Sequence, residues 1–192
     1  MWLENRARTS YGQGRVPTFI ALLRGINVTG KNKIPMAELR SLAAGLGWRS
    51  VNTYIQSGNV VFEASGAGGK FETLLEDAIS KRFELSIPVV VRSARAWRTY
   101  VANNPFTKEC ETRPNLVHLA VSKKRPNKGA VEQLNAQAQS GERVVAIEDA
   151  LFIDYPGGAG KSKLTPALFD RLVGSPVTAR NWRTVLRLGS ML

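Results

Sequence analysis

The sequence has one cysteine and one histidine in 192 residues, Cys110 and His118. A single cysteine excludes an intramolecular disulfide framework. One Cys with one His is also too few for a structural zinc site of the usual Cys/His type. No serine–histidine–aspartate set and no carboxylate pair with an evident acid/base role stands out. We therefore expect no metal and no cofactor, and the pattern assigns no catalytic residue.

Long apolar runs are missing as well. None approaches the roughly 18–20 residues that a membrane-spanning helix needs. Residues 1–16 lack the apolar core of a signal peptide and are expected to form a disordered, mildly basic leader. We therefore expect a cytoplasmic protein with no membrane partner.

Positive charge, by contrast, is abundant. The net charge is +12 with a pI near 10.3, while the 43% hydrophobic and 22% charged content is ordinary for a soluble globular protein. The charge is spread along the chain, and the only run of three cations is Lys123-Lys124-Arg125. Phosphate-bearing partners, either nucleic acid or a small molecule, explain this charge no better than solubility alone does.

Hydrophobic periodicity predicts a β-α-β-β-α-β unit over residues 17–92. Its elements are a strand at 17–24, a helix at 35–46, a hairpin joined at Ser57-Gly58, a helix at 70–84 and a strand at 87–92. A helical connector is expected over 93–110, with Cys110 in a loop near Asn104-Pro105. We interpret 17–92 as a first α+β subdomain.

The same element order recurs over residues 111–192, predicted as a second α+β subdomain. Its elements are a strand at 116–122, a helix at 128–139, a hairpin around Asp149-Ala150, a helix capped by Thr165, a strand at 177–179 and a final helix at 182–189 capped by Asn181. The predicted fold class is therefore α+β, with two ferredoxin-like subdomains side by side. A single mixed sheet is the alternative.

Topology places the candidate site residues in two loop clusters. In a β-α-β-β-α-β unit the end of the first strand and the turn of the hairpin lie at the same sheet edge. The first predicted ligand-binding cluster is Arg24, Gly25, Asn27, Lys31, Lys33, Gln56, Ser57 and Asn59. The second combines the loop at 157–163 with the end of the last strand, as Lys161, Ser162, Lys163, Arg180 and Asn181. Whether the clusters share one cleft stays open at this point.

The loop GGAGKS resembles the phosphate-binding pattern G-x-x-x-x-G-K-[ST], but Tyr155 stands where the first glycine belongs. The preceding strand also pairs as a hairpin and not as a parallel βαβ unit. The loop is therefore either a looser anion cradle or a glycine turn with solvated lysines. His118 alternates with Leu116 and Ala120, as a core or interface residue would.

Several segments resemble the bacterial family named domain of unknown function 1697. These are ALLRGINVTGKNKIPMAELRSL, VNTYIQSGNVVF, GKSKL and TARNWRTVLRL, spread from Thr18 to Leu192. The chain departs from the family pattern at Thr29, usually Gly, and at Ala179, usually Thr. The resemblance implies two α+β subdomains and brings no activity.

The leading hypothesis is thus a binding module for a phosphate-containing or nucleic-acid ligand. One rival is an enzyme acting on a small phosphorylated or nucleotide-like substrate, with Lys161 and Arg180 contacting the anion. The other is a structural or interaction protein in which the glycines only shape turns.

Overall fold

The computed structural model describes residues 16–192, so the predicted leader lies outside it except for its last residue. The first half of the molecule runs from the first strand through the third helix. Its elements are β1 (Thr18–Leu23), α1 (Met36–Gly45), β2 (Arg49–Tyr54), β3 (Asn59–Glu63), α2 (Gly68–Phe83), β4 (Val89–Ser93) and α3 (Ala94–Ala102).

The second half repeats this order after one additional helix. Its elements are α4 (Thr107–Thr112), β5 (Val117–Ser122), α5 (Ala130–Gln137), β6 (Arg143–Ile147), β7 (Ala150–Asp154), α6 (Pro166–Val173), β8 (Val177–Asn181) and α7 (Trp182–Gly189). Because α4 spans Thr107–Thr112, the prediction of a loop at Cys110 was wrong. This helix has no fully buried residue, so it lacks the apolar periodicity that would reveal it in the sequence.

Two four-stranded antiparallel sheets form, in the orders β2-β3-β1-β4 and β6-β7-β5-β8. Both orders are ferredoxin-like, so the predicted fold class is confirmed and the single mixed sheet is excluded. In each half the fourth strand runs straight into a capped helix. Ser93 accepts a hydrogen bond from the amide of Ala96, and Asn181 accepts one from Thr184.

The sheets pack face to face, and helices cover their outer faces. The inner faces share one core, in which Ile20 and Leu22 of β1 meet Leu119 of β5 and Phe152 of β7. Helices α3 and α7 flank this core, and the Trp97 indole donates to the Val185 carbonyl at 3.1 Å. Outside, α1 and α2 cover the first sheet, and α5 and α6 cover the second. No helix within residues 16–192 has the length and apolarity to cross a membrane.

Candidate functional site

The β1–α1 loop, residues 24–35, is fastened to the β2–β3 turn, residues 55–58. The Leu23 amide donates to the Gly58 carbonyl at 2.8 Å. The Asn27 side chain donates to the Gln56 carbonyl at 2.9 Å, and its amide oxygen accepts from the Ile34 amide at 2.9 Å. The first predicted cluster is therefore brought together. Both ends of the Asn27 amide are used in holding the loop.

This loop carries an unusual density of left-handed backbone. The dihedral φ is positive at Gly25 (65°) and Gly30 (78°), and also at Asn27 (54°), Thr29 (47°) and Asn32 (48°). Thr29 is β-branched, so this conformation strains it more than it would strain a glycine. The surrounding hydrogen bonds hold the strained residues in place, as is typical of ligand-binding loops.

Beneath this loop lies a cleft of about 620 Å³ between the two halves. Its floor is the outer face of the second sheet together with α6, and it is largely apolar. The apolar lining comprises Ile26, Val28, Ala120, Ile153, Ala159, Leu164, Pro166, Phe169, Val177 and Ala179. Polar groups also line it, namely Arg24, Thr29, Lys31, Asn32, Ser57, His118, Tyr155, Thr178 and Arg180. Such a combination is typical of small-molecule sites.

The cleft takes in part of each predicted cluster. Five of the predicted residues line it: Arg24, Gly25, Lys31, Ser57 and Arg180. The others lie outside its lining: Asn27, Lys33, Gln56, Asn59, Lys161, Ser162, Lys163 and Asn181. Asn181 caps α7, as predicted. One cleft therefore joins the two halves, with fewer cations than the two clusters contain.

Arg180 is the most deeply engaged cation of the cleft, with 8% of its surface exposed. Its Nη2 donates to the carbonyls of Leu23 (2.8 Å), Ser57 (2.9 Å) and Gly58 (3.2 Å). Its Nε donates to the Asn59 side chain at 2.5 Å. All these acceptors belong to the first half, so Arg180 joins the second half to the end of β1.

The remaining Nη1 of Arg180 donates to the Thr178 hydroxyl and to the Ala179 carbonyl. Every donor is thereby satisfied by a neutral group, and no carboxylate within residues 16–192 forms an ion pair with Arg180. Burial lowers its pKa to about 10. The guanidinium still carries its charge at neutral pH, so it presents an uncompensated positive field to the cleft.

Arg92 is the counterpart of Arg180 in the first half. By register Arg92 faces Ile20 of β1, while Arg180 faces Leu119 of β5. Arg92 also reaches across, donating to the Ser122 carbonyl at the end of β5 at 2.5 Å. In contrast to Arg180, it has a carboxylate partner, Asp149, at 3.2 Å. The two arginines therefore make reciprocal contacts between the halves, and only Arg92 is neutralised.

A second ion pair closes one side of the cleft. Arg24 Nη1 lies 2.6 Å from the Asp170 carboxylate of α6. This ion pair joins the β1–α1 loop to the second half. The carboxylate of Asp170 neutralises the charge of Arg24. Among the cations lining the cleft, Lys31 is exposed and has no ion-pair partner in the described part of the chain.

The GGAGKS loop turns away from the cleft. Only Ala159 of this loop belongs to the cleft lining. The Ser162 hydroxyl donates to the Glu142 carboxylate at 2.5 Å, and Glu142 also accepts from the Gln139 and Ser140 amides. These bonds lower the pKa of Glu142 and keep it ionised. A carboxylate therefore occupies the position beside Ser162 that an anionic ligand would take.

Sequence reasoning missed two polar residues of the floor. His118 lies on β5, and Tyr155 directly follows β7. Their rings meet edge to face with centroids 5.2 Å apart. Burial lowers the pKa of His118, so its imidazole is neutral at neutral pH, and burial raises the pKa of Tyr155. The alternation of His118 with Leu116 and Ala120 could signal only that its side chain faces one side of a sheet.

Metal-binding geometry does not arise between residues 16 and 192, where no three His, Cys, Asp or Glu side chains converge. A cluster of charged side chains does surround Asp154, which is fully buried. Arg113 contacts it through two nitrogens, at 2.5 and 2.8 Å, and Arg143 contacts it at 2.8 Å. These bonds satisfy a buried carboxylate, which is a structural role.

Comparison with known proteins gives a family and a fold. The family model described as protein of unknown function (DUF1697) matches residues 16–152. The solved structure of conserved bacterial protein SP0830 from Streptococcus pneumoniae is similar, with a TM-score of 0.68 and 21% identity. The match covers 92% of this chain and 98% of that chain. At this identity the likeness shows a shared fold. No curated protein matches the chain.

Proposed function

Because the chain belongs to the DUF1697 family, whose description carries no activity, we propose a function from the cleft itself. The protein binds a small molecule that has an apolar body and an anionic group, such as a phosphate. The observation that carries this proposal is an apolar cleft of about 620 Å³ with an uncompensated arginine in its wall.

The size of the cleft supports a small molecule, because drug-sized ligands occupy cavities of about 300–1,000 Å³. Its lining supports an apolar body, since ten of the lining residues are apolar, Val28, Pro166 and Ala179 among them. Burial of that body would supply most of the affinity.

The charge at the cleft supports an anionic group. Arg180 attracts an anion through its positive charge and not through a direct hydrogen bond, because all its donors are already bonded to neutral groups of the protein. Lys31 contributes an exposed ammonium to the lining of the cleft, where it can contact an anion directly. Arg24 is neutralised by Asp170, so Lys31 is the residue whose loss should matter most for the anion.

The cleft can be tested by filling it. Ala179 is exposed on the edge strand β8 and lines the cleft. Ala179→Trp should abolish binding without disturbing the core. Ala146→Trp is the matched control, because Ala146 is an exposed alanine on the opposite edge strand of the same sheet face. Calorimetric titration against a panel of nucleotides and sugar phosphates measures both variants.

The anion site can be tested by charge reversal within one loop. Lys31→Glu should weaken binding of a phosphorylated ligand about tenfold, because attraction becomes repulsion. Lys33→Glu makes the same change to the net charge, yet Lys33 is exposed and does not line the cleft. Equal losses in both variants would contradict a local anion site and would indicate a general effect of charge.

A nucleic-acid ligand is the second candidate, favoured by the net charge of +12. Its binding would weaken steeply with salt, because phosphate contacts release counterions. Retention on heparin or DNA that disappears with salt, and that Ala179→Trp leaves unchanged, would favour this candidate over the cleft. The proposed setting for either ligand is the cytoplasm, which cell fractionation tests.

A further inference from the structure

The cleft floor contains two polar atoms that the fold itself does not use. Tyr155 is 5% exposed, burial and the charge of Glu142 act on its hydroxyl, and the hydroxyl has no hydrogen-bond partner among residues 16–192. Yet no solvent-inaccessible side-chain nitrogen or oxygen in the described chain lacks a hydrogen-bond partner. The Tyr155 hydroxyl is therefore not a solvent-inaccessible atom of the described chain, and Tyr155 is one of the residues that line the cleft.

His118 supplies the second atom. Its Nδ1 lies 3.4 Å from the Leu116 carbonyl, its sole hydrogen-bond partner in the described chain. A carbonyl can only accept, so Nδ1 carries the proton and Nε2 is left as an acceptor. The hydroxyl of Tyr155 can donate. His118 and Tyr155 thus carry an acceptor and a donor, their rings are in edge-to-face contact, and both residues line the cleft.

We propose that His118 and Tyr155 recognise the polar edge of a flat heterocycle lying on this floor, so that the ligand is a heterocyclic phosphate such as a mononucleotide. This inference rests on the proposed function, and it assigns the chemistry of the apolar body. A flat ring in the cleft would place its apolar face against the apolar lining, to which Ile153 and Phe169 belong. Its edge then satisfies the two polar atoms, which would otherwise lose water without compensation.

The arrangement also predicts what the cleft rejects. A ligand with a purely hydrocarbon body would leave the Tyr155 hydroxyl and the His118 Nε2 desolvated and unpaired. A site with buried polar groups discriminates strongly against analogues that lack the matching groups. A sugar phosphate without an aromatic ring would leave the apolar floor uncovered.

The test compares phosphates with and without an aromatic heterocycle by calorimetric titration. The probes are the four ribonucleoside 5′-monophosphates, flavin mononucleotide and pyridoxal 5′-phosphate, with ribose 5-phosphate as the reference that lacks an aromatic ring. At least one heterocyclic probe should bind about tenfold more tightly than ribose 5-phosphate. Equal affinity for all probes and the reference overturns the inference.

Two variants then test the pair. Tyr155→Phe and His118→Phe should each weaken the heterocyclic probe about tenfold and leave ribose 5-phosphate unchanged. Tyr155→Phe removes a hydroxyl that makes no internal bond, so folding should be unaffected. Tyr54→Phe, on β2 and outside the cleft, is the matched control. If either cleft variant binds the heterocyclic probe as tightly as the wild type does, the proposed contacts of His118 and Tyr155 with the ring edge are overturned.

A spectroscopic readout is also available, because His118 is the only histidine of the chain. Its Nε2 resonance needs no assignment and should shift when the heterocyclic probe binds, and not with ribose 5-phosphate. If every phosphate, ribose 5-phosphate included, binds in a manner that depends on Lys31 and not on Tyr155, the inference fails and the proposed function stands. If no probe binds at all, both fail.

Discussion

The two halves share one strand order, yet they fill the outer faces of their sheets differently. Strand register pairs the positions Phe19 with His118, Phe62 with Ile153, and Val91 with Ala179. In the first half these positions belong to an aromatic core, where Phe62 stacks on Trp48 at 3.8 Å. In the second half, smaller or polar residues occupy them. The same fold therefore gives a solid core in one half and a cleft in the other.

The covering helices strengthen this difference. Helix α2 has 16 residues, whereas α5 and α6 have eight each. Shorter helices leave part of the second sheet uncovered, and the β1–α1 loop of the first half reaches over that part. The cleft therefore requires both halves of the molecule, because its floor and its roof come from different halves.

The largest expected effect comes from removing Arg180, the one of the two counterpart arginines that has no carboxylate partner in the described chain. Arg180→Met should lower the free energy of unfolding by about 3–5 kcal/mol, because buried carbonyls of the first half lose their donor. Arg92→Met, its counterpart, should cost about 1–3 kcal/mol, since Asp149 is half-exposed and water can replace the arginine. Urea denaturation measures both. Equal losses would contradict the asymmetry between the two arginines.

The sequence predicted the repeat well, because each element carries its own signal. Asn181 before an amphipathic segment and Thr165 before Pro166 identify helix starts locally, and both caps are present. The roles of Arg180 could not be predicted in this way. Its acceptors in the first half lie more than 120 positions away in the chain, and a buried arginine has the same sequence pattern as an exposed one at the end of a strand.

The candidate site was predictable only where a single sheet edge brings its parts together. The β1–α1 loop and the β2–β3 turn meet because the topology of one unit requires it. His118 and Tyr155 escaped because they line the site through the packing of the two halves, which no local period encodes. Helix α4 was not predicted because its six residues include a single apolar one, Cys110, and therefore show no apolar periodicity.

The next effect concerns the β2–β3 turn, whose carbonyls accept hydrogen bonds from Arg180. Gly58 has φ of +75°, and an added Cβ would lie 2.6 Å from Ile26 Cδ1 and 2.8 Å from Leu23 Cβ. Gly58→Ala should therefore cost about 2–3 kcal/mol through both strain and crowding. Gly30→Ala shares the positive φ but meets nothing within 4 Å, so it should cost only about 1 kcal/mol. Similar losses in urea denaturation would show that crowding at the turn is unimportant.

A smaller effect follows from making the second half resemble the first. His118→Phe installs the residue type of the equivalent position, Phe19, and should change the free energy of unfolding by about 1 kcal/mol or less at about pH 8. Toward about pH 5 the two proteins should diverge. The folded-state pKa of His118 is lowered by burial, so the unfolded chain binds the proton more readily.

The wild type should therefore lose stability as the pH falls below the unfolded value of about 6.5, and the loss should level off below the folded pKa. His118→Phe should lack this contribution. The Tyr155 ring faces the imidazole, and no charged side chain is among the groups that shift the His118 pKa. Carboxylates titrate alike in both proteins and cancel in the difference. Parallel stability curves from about pH 8 to about pH 5 would show that His118 is not buried in this way.

The smallest expected effect distinguishes the cleft from the loop that looks most like a phosphate site. Lys161→Ala should change the affinity for a phosphorylated ligand less than about twofold, because only Ala159 of that loop lines the cleft. Lys31→Ala, which removes the same charge on the first-half side, should weaken binding by clearly more. Titration with one ligand under identical salt compares the two. A loss at Lys161 that exceeds the loss at Lys31 would move the anion site to the GGAGKS loop, and Glu142 would then have to release Ser162 before an anion could bind.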